Sequence, residues 1–275
     1  MELRVNSKLA YAYTGGKPFD PALPTVVFIH GAEHDHSVWA LQSRYLAHHG
    51  RSVLAVDLPG HGRSAGPALP SVEAIADWLL ALLGAAGVQR VALVGHSMGS
   101  LIALEAASRL AGTDRDLQVT QLAMVATAFP MKVSPALLET ALNAPLKAID
   151  MVNAYSHATL AAKPSCPGPG SWLHGANRAL MRRQQAACEA AGHGNLFHQD
   201  FRVCDAYAGA LQAAAAVRCP VRLILGRHDA MTLPRFAEGL ATALRAEVVT
   251  LPAGHSLMAE APDGVLNALE DFIVR

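Results

Sequence analysis

The segment from residue 91 to residue 104 constrains the fold more than any other part of the chain. A short apolar run is followed by Gly95-His96-Ser97-Met98-Gly99 and then by a helical pattern. A sharp turn between a strand and a helix leaves no room for side chains beside it, and glycine stands two positions before and after Ser97. If Ser97 were only a helix N-cap, glycine on both sides would not be needed. The segment therefore predicts a buried strand, a strained turn that presents Ser97, and a helix directly after it.

Continuously apolar runs of this kind recur along the chain. Such runs, unlike alternating ones, are typical of strands covered on both faces, as in a parallel sheet. They occupy residues 25–29, 52–56, 91–94, 122–125, 221–225 and 247–251. Helical patterns separate them, and residues 3–6 and 9–14 predict an opening hairpin at the sheet edge. The alternation predicts an α/β fold with a doubly wound, mostly parallel sheet of about eight strands.

One long stretch interrupts this alternation. Between residues 129 and 200 the sequence has only helical segments, such as 135–142 and 172–189, and a loop at 163–170 that is rich in proline and glycine. A connection of this length usually carries structure or function of its own. We therefore expect a core domain formed by residues 1–128 and 201–275, with a helical cap, 129–200, inserted after the sixth strand.

Charge and composition argue against several classes of function. The chain has 22 Lys and Arg residues and 22 Asp and Glu residues, so it offers no basic field to nucleic acid or anionic lipid. The first residues lack the apolar core of a signal peptide, and no window reaches the roughly 18 apolar residues of a membrane span. The four cysteines form no C-x-x-C pair, so we expect free thiols. These features predict a cytoplasmic monomer or homodimer that binds a small molecule, and neither nucleic acid nor membrane.

Two further polar residues are placed to activate Ser97. Asp229 closely follows the seventh predicted strand, and His255 closely follows the eighth. The exits of parallel strands converge at one edge of a sheet, so His255 can reach Ser97 while Asp229 holds its other ring nitrogen. We expect Ser97 to be the nucleophile, His255 the general base and Asp229 the orienting acid, with Asp200 and Asp205 as the next candidate acids.

The loop that leaves the third predicted strand carries a second part of the site. His30-Gly31-Ala32 ends that strand, and in this kind of strand-to-helix site the loop supplies one oxyanion-binding amide. The residue after the nucleophile supplies the other, so we expect the amides of Ala32 and Met98 to bind the oxyanion. The following Glu33-His34-Asp35-His36 looks metal-like, but a H-x-H-x-D-H motif would need histidine at positions 31 and 33. We therefore expect no metal there.

From residue 24 onward the chain resembles the α/β-hydrolase superfamily, in its cap-bearing, esterase-like branch. The motifs that carry the resemblance are His30-Gly31, Asp57-Leu58-Pro59-Gly60-His61-Gly62-Arg63-Ser64, Gly95-His96-Ser97-Met98-Gly99, Gly226-Arg227-His228-Asp229 and Gly254-His255. The resemblance implies acyl transfer from a small ester through an acyl-enzyme on Ser97, without a cofactor. The same scaffold also carries C–C bond hydrolases of vinylogous diketones and receptors with a vestigial triad. In the C–C hydrolase alternative, Arg178 or Trp172 would bind the dienoate.

Apolar residues of the expected cap are the candidates for a substrate-binding wall. They are Met131, Leu137, Leu138 and Trp172. A role in a separate core of the cap is the alternative for each of them. An ester pocket lined by such residues would select substrates by the length of their apolar chain.

Overall fold

The computed structural model describes residues 1–112, 117–158 and 173–274. At its centre lies an eight-stranded sheet with the strand order β1-β2-β4-β3-β5-β6-β7-β8. The strands are β1 (Glu2–Val5), β2 (Lys8–Tyr13), β3 (Thr25–Ile29), β4 (Ser52–Val56), β5 (Arg90–His96), β6 (Gln118–Val125), β7 (Val221–Gly226) and β8 (Glu247–Leu251). The first two strands form the expected antiparallel hairpin, which joins the sheet through an antiparallel pairing of β2 with β4. Strands β3 to β8 pair with one another in parallel. The predicted fold class is confirmed.

Helices cover both faces of this sheet and fill the long insertion between β6 and β7. In the described parts of the chain they are α1 (Ala40–His48), α2 (Val72–Ala85), α3 (Met98–Leu110), α4 (Pro135–Asn143), α5 (Pro145–Tyr155), α6 (Leu173–Ala190), α7 (Leu196–Ala206), α8 (Ala210–Ala216), α9 (Glu238–Leu244), α10 (Leu257–Glu260) and α11 (Pro262–Ile273). Short 3₁₀ helices cover His36–Trp39 and Pro234–Ala237. None of the helices in the described ranges is long and apolar enough to cross a membrane.

Strand β3 shows why its sequence is continuously apolar. Val27 and Ile29 pack into the cluster that contains α2 and α3, whereas Val26 and Phe28 pack into the opposite cluster with α1 and α11. Successive side chains of a strand point to opposite faces, so a strand with a helix layer on each face must be apolar at every position. All five residues of β3 are buried. This double layer fixes the strand ends that carry the site.

The last strand differs from the expectation of burial on both faces. Val249 and Leu251 of β8 pack against the cluster that includes α11, but Val248 on the other face is 47% exposed. Strand β8 lies at the edge of the sheet and pairs only with β7 among the described strands. Its apolar run therefore indicated a strand correctly and overstated its burial.

The insertion between β6 and β7 contains α4, α5, α6 and α7, which pack around a cluster of their own. The buried members of this cluster are Ala141, Ala148, Ile149, Val152, Met181, Phe197 and Phe201. Helix α7 continues through residue 200, where the sequence placed the end of the insertion. The loop predicted at 163–170, with Cys166, lies outside the described residues. Cys188, Cys204 and Cys219 are free thiols.

Candidate active site

Ser97 lies on the sharp turn between β5 and α3. Its backbone has φ 52° and ψ −120°, a conformation that a residue with a side chain adopts only under strain. A Cβ atom at Gly95 would collide with the backbone of Gly99, and one at Gly99 would collide with the backbone at the end of β3. The Ser97 side chain makes no capping hydrogen bond to α3. The close approach of three backbone segments therefore explains both glycines and leaves the hydroxyl free of a structural task.

His255 and Asp229 form a buried hydrogen-bonded pair. Nδ1 of His255 lies 2.9 Å from Oδ2 of Asp229, and Asp229 also accepts the backbone N–H groups of Met231 and Thr232 at 2.8 Å each. Burial would raise the pKa of Asp229, but His255 and the donors at Thr232 outweigh it and hold that pKa below its ordinary value. A carboxylate on Nδ1 fixes the tautomer in which Nε2 of the neutral ring carries the lone pair. The pair thus has the form of a general base with its orienting acid.

Ser97 and His255 line the same cavity, but no hydrogen bond joins their side chains in the described structure. Catalytic hydrogen bonds of this kind are often long in unliganded enzymes and tighten when substrate binds. His96, the neighbour of Ser97, donates from Nε2 to the backbone oxygen of His255 at 2.9 Å. Burial, and next the nearby His255, lower the pKa of His96 well below its ordinary value. A neutral His96 therefore ties the loop of His255 to the turn of Ser97, a role that sequence reasoning missed.

The two predicted oxyanion amides both lie beside Ser97. Ala32 lines the cavity, and Met98 begins α3 directly after Ser97. Neither amide donates a hydrogen bond to another described residue. A turn closed by the His34 N–H and the Gly31 oxygen, 3.3 Å apart, holds the loop around Ala32. One amide at the cavity wall and a second directly after Ser97, neither paired with a described residue, suit a negatively charged oxygen beside Ser97.

The alternative acids lie elsewhere. Asp200 accepts the N–H of Glu33 and a ring nitrogen of His61, each at 2.8 Å. Asp205 accepts the N–H of Val133 at 3.1 Å. Neither carboxylate has a contact with His255 among the hydrogen bonds and ion pairs of the described residues. Asp229 is therefore the carboxylate that the fold brings to His255.

The cavity at Ser97 has a volume of about 60 Å³ and lies between the strand ends and the insertion. Met131 is one of its lining residues, together with Val152, Met181 and Phe201. Leu137 and Leu138 pack instead against the cluster inside the insertion and are not among the described lining residues. Trp172 lies outside the described residues. Of the predicted substrate wall, the structure thus brings Met131 to the cavity.

A second, larger cleft adjoins this cavity and was not foreseen from the sequence. It has a volume of about 450 Å³ and apolar walls that include Val38, Leu41, Leu180 and Met258. The two spaces share His34, His96 and Asn177 as lining residues. His34 and Asn177 are joined by a hydrogen bond of 2.8 Å, from Nε2 of the histidine to Oδ1 of the amide. This bond stands at the boundary between the cavity and the cleft.

Arg178, and the acidic and histidine-rich run after Ala32, make contacts within the protein that differ from a role in substrate or metal binding. Arg178 pairs with Asp150 at 2.9 Å on neighbouring helices and is not among the described residues that line either space. Asp35, His36 and Asp57 bring possible metal ligands within 4.8 Å of one another. Their carboxylates, however, already accept N–H groups, with Ser37 bound by Asp35 and both His36 and Arg63 bound by Asp57. The cluster is thus an internal hydrogen-bonded support for the loops.

Comparisons with known proteins agree with this architecture. An esterase from Exiguobacterium antarcticum matches with a TM-score of 0.80 and 16% identity, covering 100% of this chain and 99% of that one. The enol-lactonase from Burkholderia xenovorans LB400 matches with a TM-score of 0.78 and 22% identity, covering 100% of each chain. At these identities the likeness shows a common fold.

Among curated proteins, the 2-succinyl-6-hydroxy-2,4-cyclohexadiene-1-carboxylate synthase of Escherichia coli is 38% identical over 93 residues. That stretch covers 34% of this chain, and the chain spans only about a third, 36%, of the length of that relative. The model of the alpha/beta hydrolase family matches residues 26–268. Most of the described elements, including the turn of Ser97 and the loops of Asp229 and His255, lie within that match. The chain belongs to the alpha/beta hydrolase family.

Proposed function

We propose that the protein is a carboxylic ester hydrolase that works through an acyl-enzyme on Ser97. The observation that carries the proposal is the buried bond between His255 and Asp229 at the cavity that Ser97 lines. This bond leaves Nε2 of His255 as a proton acceptor, while the Ser97 hydroxyl is free of a structural role. A nucleophile, a base and an orienting acid in this relation are the requirements of serine hydrolysis.

The reaction proceeds in two halves. Nε2 of His255 takes the hydroxyl proton as Oγ of Ser97 attacks the ester carbon, and the carbonyl oxygen becomes negative between the amides of Ala32 and Met98. The C–O bond to the alcohol breaks as His255 returns the proton to the leaving oxygen. Water, deprotonated by His255, then attacks the acyl-enzyme, and the carboxylic acid leaves as Ser97 recovers its proton. Each half ends with a neutral His255.

The shape of the site supports small to medium, apolar esters as the substrate class. A small cavity holds the reacting group, and the larger apolar cleft beside it has room for one bulky group of the ester. Helices α4 to α7 act as a cap, because Val152, Met181 and Phe201 from three of these helices form part of the cavity wall. We place the core domain at residues 1–128 and 201–275 and the cap at 129–200, with α7 as the joint between them.

Replacement of Ser97 by alanine tests the proposal directly. The wild-type enzyme should hydrolyse short p-nitrophenyl esters, and Ser97→Ala should lose on the order of 10⁶ in turnover with its fold intact. A serine-directed phosphonate should label the wild type at Ser97, located by mass spectrometry, and spare the variant. Ser108→Ala, on the same helix with its hydroxyl bonded to the Glu105 oxygen, serves as the matched control. Activity above a tenth of wild type in Ser97→Ala would remove Ser97 as the nucleophile.

The similarity over 93 residues to an Escherichia coli protein named as a synthase, and not as an esterase, supports a second candidate function for this site. The second candidate is a C–C bond hydrolase of vinylogous diketones. A panel of vinylogous diketones, assayed beside the p-nitrophenyl esters, separates the two. Turnover of a diketone with a kcat/KM at least a hundredfold above every ester would favour C–C hydrolysis.

A further inference from the structure

The turn that carries the oxyanion amide of Ala32 is strained and needs a stabilising contact. Glu33, the next residue, has φ 55°, in the left-handed region that residues with side chains avoid. The Glu33 side chain is fully buried, at 0% exposure. The Ala32 amide lies one peptide before the strained backbone of Glu33. The direction of the Ala32 N–H therefore depends on the contact that holds Glu33 in this conformation.

The contact that holds Glu33 comes from the cap. Oδ2 of Asp200, on α7, accepts the backbone N–H of Glu33 at 2.8 Å. The same oxygen accepts Nε2–H of His61 at 2.8 Å. Asp200 and His61 are each only 2% exposed, so water cannot substitute for either bond. One carboxylate thus joins the oxyanion turn, the loop after β4 and a cap helix.

The geometry around His61 favours a ring that is protonated on both nitrogens. Both ring nitrogens of His61 face oxygens, with Nδ1 at 3.2 Å from the Pro59 carbonyl and Nε2 on Asp200, so both carry protons. Burial would lower the pKa of His61, but Asp200 outweighs burial and raises that pKa. His30 packs its ring against His61, and burial lowers the pKa of His30 to about 4, so it stays neutral. The bond that His61 donates to Asp200 is therefore charge-assisted and stronger than a neutral one, and it holds in place the oxygen that accepts the Glu33 amide.

The other ionisable groups around this pair fit the same charge state. Burial, followed by the charges of Asp200 and Glu189, raises the pKa of Glu33 well above its ordinary value, so this carboxyl is neutral. On α7, burial raises the pKa of Cys204 beyond its ordinary value, and the thiol is neutral as well. Asp57, on the loop of His61, adds to the field that favours the imidazolium. Glu33 and Cys204 thus add no charge next to the pair of His61 and Asp200.

We propose that Asp200 is a positioning residue for the oxyanion site, which aligns the Ala32 amide by holding the strained peptide after it. The inference rests on the proposed function, because it concerns the amide that would bind the oxyanion. It makes the docking of the cap a condition for catalysis: α7 must be in place for the oxyanion turn to be in place. Sequence motifs assign no such role to Asp200.

A misplaced oxyanion amide has a distinctive kinetic effect. The interaction is made mainly in the transition state, so its loss lowers kcat and leaves KM largely unchanged. Removal of an oxyanion donor costs about 10²–10³ in kcat in a well-studied serine protease. Loss of a residue that aligns such a donor should cost less, and we expect a fall of about 10- to 100-fold for Asp200→Ala.

The experiment compares Asp200→Ala and Asp200→Asn with Gln199→Ala. Gln199 is the matched control, because it also joins α7 to the core, through a bond of 3.2 Å to the Leu69 oxygen, and does not touch the oxyanion turn. The measurements are kcat and KM on a p-nitrophenyl ester and the inhibition constant of a trifluoromethyl ketone, whose adduct with Ser97 carries an oxyanion. For Asp200→Ala, kcat should fall and the inhibition constant should rise by similar factors, with KM within threefold of wild type.

Asp200→Asn keeps an oxygen for the Glu33 amide and loses the charge, so it should recover part of kcat and remain about three- to tenfold below wild type. If Asp200→Ala fails to fold, the kcat of Asp200→Asn tests the positioning role on its own. Wild-type kcat in either folded variant, or an equal loss in Gln199→Ala, would overturn the inference. An inactive wild-type enzyme that resists phosphonate labelling would overturn the proposed function itself, so the two failures are distinguishable.

Discussion

Glu33 shows how burial changes the chemistry that a residue's type suggests. In the sequence it belongs to an acidic and histidine-rich run that looks metal-like. In the structure both of its carboxyl oxygens are buried without a hydrogen-bond partner among the described residues. A buried carboxylate without a partner is so costly that the group takes up a proton instead. Glu33 is therefore a neutral acid under the oxyanion turn.

The charge state of Glu33 predicts a pH-dependent cost in stability. Its pKa is raised in the folded state, so folding binds a proton that the unfolded chain releases above about pH 4.3. Stability is therefore lost as pH rises from that value towards the folded pKa, by up to about 1.4 kcal/mol per pH unit. Glu33→Gln keeps the shape of the side chain and removes the titratable group. The free energy of unfolding of the variant minus that of the wild type should therefore grow from pH 6 to pH 8. Urea denaturation at pH 6, 7 and 8 measures this, and a constant difference would mean that Glu33 is already ionised.

At the scale of elements, the connection of β5 to α3 is the part that sequence describes best. The apolar strand, the two glycines and the helix start all lie within one short window, so a local sequence pattern was enough to predict them. The reason for Gly99 is nevertheless tertiary, since a Cβ there would meet the backbone of β3. At Gly84, in α2, no neighbouring atom requires glycine, because a Cβ there would meet open space.

Two alanine substitutions in helices should therefore have opposite effects. Gly84→Ala, exposed and helical, should stabilise the protein by about 0.5–1 kcal/mol through its better helix propensity. Gly99→Ala forces a methyl group against backbone that cannot move aside, so it should destabilise by at least about 2 kcal/mol, as over-packing does. Thermal and urea unfolding of the two variants compare them directly. Equal stability of the two would show that the approach of α3 to β3 is looser than described.

At the scale of the whole molecule, the cavity exists only because two separately packed parts meet. The sheet with its helices has clusters on both faces, and the insertion has a third. Met131 lies near the start of the insertion and lines the cavity at 8% exposure. Its side chain therefore sets how much room an acyl or alcohol group has beside Ser97.

Shortening Met131 should change which esters are preferred. Met131→Ala enlarges the cavity, so kcat/KM for longer p-nitrophenyl esters should rise relative to short ones by about tenfold, the effect of about 1–3 kcal/mol in a hydrophobic pocket. Leu142→Ala, exposed on α4 outside the cavity, is the control and should keep the wild-type profile. Rates across a series of chain lengths provide the measurement. An unchanged profile in Met131→Ala would place the substrate chain elsewhere, with the larger cleft as the next candidate.

The sequence alone determined the features that depend on residues close together along the chain. Apolar runs predicted the strands of the sheet, and the residues directly after them placed Asp229 and His255 at strand exits, where the structure pairs them. These predictions succeed because the direction of a side chain along a strand and the sterics of a turn depend on near neighbours.

The tertiary structure alone decided which surfaces meet. In the sequence, Leu137 and Leu138 were equally suited to a cavity wall and to a separate core of the insertion, and only the packing of α4 placed them against the latter. Asp200 reaches Glu33 across 167 positions of the chain, a contact that no local pattern contains. The burial of Glu33 and of His61, which raises the pKa of the first and brings the second to Asp200, follows from such distant contacts. The charge of a residue in the folded protein depends on its surroundings in space, and these surroundings cannot be read from the order of residues along the chain.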